Sequence, residues 1–64
     1  MKKVAVVCLK KTESEYYQLI LEKDLKLEYL MYTKAQLAKI VNAEDAYPIV
    51  REYIAKKFAD GLIT

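Results

Sequence analysis

Sixty-four residues with 55% hydrophobic and 31% charged side chains are expected to fold as one domain, residues 1–64, around one core, and they exclude disorder as the default state. Eleven Lys and Arg against nine Asp and Glu leave a formal charge of +2, too small by itself to imply a nucleic-acid or membrane partner. One cysteine and no histidine exclude an internal disulfide, a zinc site and a histidine base, so neither cofactor nor metal is expected.

By mass scaling, folding removes roughly 6,500 Å² from water, about 60% of it apolar. At about 25 cal/mol/Å² that is roughly 98 kcal/mol, against roughly 96 kcal/mol of ordering entropy. The two cancel. Chains balanced this closely take help from disulfides, metals or a partner subunit, and the first two are excluded. Self-association is therefore expected.

The first element is the β-branched run Val4-Ala5-Val6-Val7-Cys8-Leu9, bounded by Lys2, Lys3, Lys10 and Lys11. It reads as a strand apolar on both faces. It is also the longest uncharged apolar run, far below the roughly 20 residues of a membrane span, and too short for a secretory signal. No membrane partner is expected, and a cytoplasmic location fits the lone thiol.

Thr12 to Leu25 supports two readings. As a strand, Tyr17, Leu19 and Leu21 share one face and Tyr16, Gln18, Ile20 and Glu22 the other. As a helix, Thr12 and Glu15 make a capping box, and Ser14, Gln18 and Glu22 line a polar stripe. The next segment favours the strand, because Leu25, Leu27, Tyr29 and Met31 alternate with Lys26 and Glu28, which predicts a half-buried strand with Tyr29 inward. Lys23-Asp24 is the expected hairpin turn, although tight hairpins prefer glycine and only Asp24 tolerates positive φ there.

Thr33 and Gln36 predict a capped helix over Lys34 to Val41, with Asn42 as its stop. Asp45 is the expected cap of a second helix, with Pro48 in its first turn and Ile49, Val50, Tyr53, Ile54 and Phe58 on one stripe. Glu52 and Lys56 stand four apart on its outer face, and Gly61 suits its end. The predicted fold is α+β: a three-stranded antiparallel sheet (β-β-β) followed by two helices packed on one face, with β-α-β-α-α as the alternative. In the first topology the opening strand lies at an edge and one sheet face stays wet, which a second copy would relieve.

Candidate chemistry is sparse. Cys8 sits among valines and reads as a small buried apolar residue. The carboxylates of Glu13, Glu15, Glu22, Asp24, Glu28, Glu44 and Asp45 match no calcium loop and read as solvated surface. With no phosphate-binding glycine loop and no nucleophile elbow, the chain is not expected to be an enzyme. Six tyrosines suit contact surfaces: Tyr17, Tyr29 and Tyr53 are expected in the core, and Tyr16, Tyr32 and Tyr47 outside it. Val4, Val6, Tyr16, Tyr32 and Tyr47 are the expected protein-interaction residues.

The run Thr33-Lys34-Ala35-Gln36-Leu37-Ala38-Lys39-Ile40-Val41, followed by Ile49-Val50-Arg51-Glu52-Tyr53-Ile54, resembles the helix-turn-helix of small transcriptional repressors over about a third of the chain. It departs from that pattern at Asn42, where the turn glycine usually stands, in a longer link, and at Pro48 near the front of the recognition helix. The resemblance implies DNA contacts by Lys34 and Arg51, supported by Lys39 and Lys56. The leading expectation remains a small accessory or regulatory protein that binds another protein, as a homodimer; a minimal DNA-binding regulator using residues 33–54 is the alternative.

Overall fold

Thr12 decides the period of the stretch that follows it. Its hydroxyl donates to the Tyr16 carbonyl and shares a hydrogen bond with Ser14 Oγ at 3.0 Å, so it closes a turn where a helix cap was the other possibility. In the computed structural model, which describes residues 3–64, the chain leaves this turn as a strand. The elements are β1 (Val4–Lys11), β2 (Tyr16–Lys23), β3 (Lys26–Thr33), α1 (Lys34–Val41) and α2 (Pro48–Ala59). All strand pairs are antiparallel in the order β1-β2-β3. The expected α+β meander is the observed one, with β1 at an edge and running two residues past Leu9.

The β2–β3 turn differs from the expected Lys23-Asp24. Lys23 and Lys26 are the closing pair, and Asp24 (φ 52) and Leu25 (φ 68) are the two central residues. A two-residue hairpin turn that follows the strand twist needs positive φ at both centres, which explains the shift. Leucine meets that demand against its own sterics and gains nothing by contact, being 93% exposed. Leu25→Gly is therefore expected to stabilise the fold by about 1 kcal/mol, the relief of left-handed strain exceeding the extra chain entropy of glycine. A two-state thermal melt should show a midpoint about 4–8 °C higher; an unchanged or lowered midpoint contradicts the turn geometry.

One face of the sheet holds the core. The register sets Leu9 beside Leu19, and Leu19 beside Leu30. An irregularity between Val6 and Cys8 lets Val4, Val6 and Leu9 all turn to this face, as an extra residue in one strand reverses the alternation beyond it. Leu9, Tyr17, Leu19 and Leu21 pack there against Leu37, Val50, Ile54 and Ile63. Tyr17, Leu19 and Leu21 thus share the face their alternation implied.

The helices are placed by their ends. The Thr33 and Gln36 capping box forms, with Gln36 N–H to Thr33 Oγ1 at 3.3 Å and Thr33 N–H to Gln36 Oε1 at 2.8 Å, and Asn42 is the C-cap. The start of α2 corrects the expectation of Asp45: the N-cap is Tyr47, without a side-chain cap bond, and Pro48 is the first helical residue. Proline fixes its own φ and forces its predecessor into extended backbone, so Pro48 sets the boundary two residues after Asp45. Within α2, Val50 and Ile54 are buried and Tyr53 and Phe58 half-buried. Ile49 is 47% exposed, since one helical step from Val50 turns it away from the sheet.

Gly61, at φ +85, ends α2. Leu62 N–H donates to Lys57 O at 3.1 Å and Gly61 N–H to Phe58 O at 3.2 Å, the paired closure of a left-handed helix stop. This stop returns the chain to the sheet, where Ile63 is 3% exposed.

Candidate interaction face

The other face of the sheet carries no helix residue of the core cluster. Its residues form three cross-strand rows, Lys10, Gln18 and Met31; Cys8, Ile20 and Tyr29; Ala5, Glu22 and Leu27, with the pair Tyr16 and Thr33 beyond the first of them. Leu27, Tyr29 and Met31 are 54%, 57% and 49% exposed. Val7, at the irregularity in β1, is 52% exposed. Ile20 is buried but stands outside the core cluster, shielded within its own row. A sheet that turns leucine, methionine and tyrosine to water on one side while burying a core on the other is apolar on both faces, and contiguous exposed apolar surface of this kind marks contact sites.

This arrangement corrects the reading of β3. The alternation of Leu27, Tyr29 and Met31 is real, but those residues point outward and Leu30 and Tyr32 pack against the core. The tight turn sets the parity: with Lys23 opposite Lys26, Leu19 meets Leu30 and Tyr17 meets Tyr32. Every β3 residue on the face of buried Leu19 must then be even-numbered. Cys8 is likewise outside the core, half-buried on the outer face, because the β1 irregularity turns it to the side of Ile20.

The expected interaction residues do not form one surface. Val4 and Val6 are half-buried against the core, as is Tyr32, which was expected outside it. Tyr16, 41% exposed and opposite Thr33, is the one of the five on the outer face, at its end beyond the row of Gln18 and Met31. Tyr47, 40% exposed, lies beyond the inner face at the start of α2, its ring 5.7 Å from Lys23 Nζ. The outer-face residues Val7, Leu27, Tyr29 and Met31 were the ones missed as a surface. Their signal was present: β3 is apolar at both parities, with Leu30 and Tyr32 on one and Leu27, Tyr29 and Met31 on the other.

Of the candidate DNA contacts, Lys34, Lys39 and Lys56 are exposed on α1 and α2, while Arg51 is half-buried with an Nε that has no hydrogen-bond partner. Residues 42–47 separate the two helices. A cavity of ≈ 320 Å³ opens on the inner side between β2, β3 and the start of α2, with Leu21, Leu30 and Val50 beneath and Lys23, Glu28 and Tyr47 at its mouth. Its volume is at the low end for small-molecule sites. Lys23 and Glu28 pair with each other there at 3.4 Å, and the thiol of Cys8 lies on the opposite face. Among the described residues, no three His, Cys, Asp or Glu side chains converge as metal ligands, and no helix is long and apolar enough to cross a membrane. Comparison with protein-family models, curated proteins and solved structures finds no match.

Proposed function

We propose that this chain is a small, non-catalytic interaction protein, an accessory or regulatory factor of the cytoplasm that acts through protein contact as a homodimer. The observation that carries the reading is the outer sheet face, where Leu27, Tyr29 and Met31 are each about half exposed beside Val7. Two further points support it. Estimated burial and ordering entropy cancel for a chain of this length, so covering the outer face supplies stabilisation that the lone chain lacks. The sole thiol is on the sheet face opposite the cavity lined by Lys23, Glu28 and Asp45.

Sedimentation of the wild-type protein across a concentration series tests this reading, with the double change Tyr29→Lys and Met31→Lys as the comparison. The wild type is expected to exceed its monomer mass of 7.4 kDa and the variant to lose that excess. Both positions lie outside the core, so the monomer fold need not change. A wild type that stays a folded monomer at every concentration removes the homodimer. Duplex binding that falls steeply with salt and depends on Lys34, Lys39, Arg51 and Lys56 would instead support the DNA-binding alternative, because neutralised phosphates make affinity salt-dependent.

A further inference from the structure

Resting on the homodimer proposed above, we infer that a second copy lies face to face on the outer sheet with the two-fold axis running across the strands, so that Lys10 of each copy lies diagonally across from the partner's Glu22, one strand to its side. Within the three strands this face holds one cation and one anion, at opposite ends: Lys10 stands in the row of Met31, and Glu22 in the row of Leu27. Between them runs the row of Cys8, Ile20 and Tyr29.

A closed two-copy contact must be isologous, each residue meeting what its symmetry mate meets in return. Any two-fold axis in the plane between stacked sheets satisfies that, and two of them keep the strands of the copies aligned. An axis along the strands sets β1 over β3 and brings Glu22 against the partner's Glu22, a like-charge contact. An axis across the strands sets each strand over its own copy and exchanges the ends of the face. Lys10 then lies over the partner's Ala5, one strand about 4.8 Å to the side of the partner's Glu22, within reach of its long side chain and repeated twice by symmetry, and Ile20 packs on its counterpart at the centre. Opposed charges at the rim choose between orientations more than they add affinity. An edge-to-edge contact through β1 would leave Leu27, Tyr29 and Met31 in water.

Three strands about 4.8 Å apart and about 26 Å long give a face of roughly 370 Å² in plan. That is small beside the roughly 800 Å² of accessible surface per partner in a standard interface, so the expected dimer is a weak, reversible one.

The test uses four full-length proteins in sedimentation at low salt: wild type, Lys10→Glu, Glu22→Lys, and the double exchange. Both residues are exposed, so all four should fold. Each single change replaces two attractive contacts by two repulsive ones and is expected to weaken the dimer about tenfold; the double exchange should restore it. Alkylation of Cys8 by a neutral reagent gives a second readout, since the thiol lies in the central row and its reaction should slow as concentration drives association. A wild-type dimer that is indifferent to both single changes, or is not restored by the double exchange, overturns the axis and leaves the homodimer standing. A wild-type monomer overturns both.

Discussion

Replacing Ile63 with alanine is expected to cost about 2–4 kcal/mol, although the residue stands one position from the end of the chain. Terminal residues ordinarily fray and tolerate change. Ile63 differs because the left-handed stop at Gly61 carries it back to Leu9, Leu19 and Ile54 in the core cluster, and its 3% exposure is comparable to that of Leu21. The expected loss combines the transfer free energy of the side chain with the cavity it leaves. Against the roughly 5–15 kcal/mol of net stability typical of small domains, this is a large fraction. Leu62→Ala is the control: Leu62 is 40% exposed, and its replacement should cost less than about 1 kcal/mol. Urea melts followed by far-UV circular dichroism compare the two; equal midpoints would show that the tail does not dock.

The fold was legible in the sequence where local chemistry and periodicity agreed. The Thr33 and Gln36 box, the Asn42 stop and the glycine at the end of α2 each have a short-range cause that spacing records. The sheet order followed because two short turns leave a meander little choice. What stayed hidden depends on relations between segments. Whether Leu27 or Leu30 faces the helices is settled by the parity of one turn, and a shift of that turn by one residue exchanges the faces. The position of Cys8 depends on an irregularity one residue away that has no marker in composition, since Val6 and Val7 are alike. Tyr32 was misplaced with the rest of β3. The exposed apolar face was therefore visible as an excess of apolar residues in β3, but its residues were expected inward, and Val4 and Val6, expected at an interface, are half-buried against the core.

That parity is open to a direct test, the second large effect expected. Leu30→Asp should cost about 3 kcal/mol, because it puts a carboxylate against Leu19 and the core cluster with no partner in the register. Met31→Asp, at the next residue, should change the stability of the dilute monomer by less than about 1 kcal/mol, since its side chain is already 49% exposed. The alternation of Leu25, Leu27, Tyr29 and Met31, taken alone, demands the reverse order of damage. Aspartate suits the comparison better than lysine, whose long stem could carry its charge out of a half-buried site. Chemical denaturation at concentrations below self-association separates the two effects. If Met31→Asp unfolds the monomer and Leu30→Asp does not, β3 is turned over, the helix-covered face carries Leu27, Tyr29 and Met31, and the proposed contact residues of that strand are buried, with Leu30 and Tyr32 outside in their place. The opposite result leaves methionine, tyrosine and leucine in water on a strand whose other side is already packed. Covering them with a second copy would remove that apolar surface from water, so on the proposed homodimer Met31→Asp is expected to remove association.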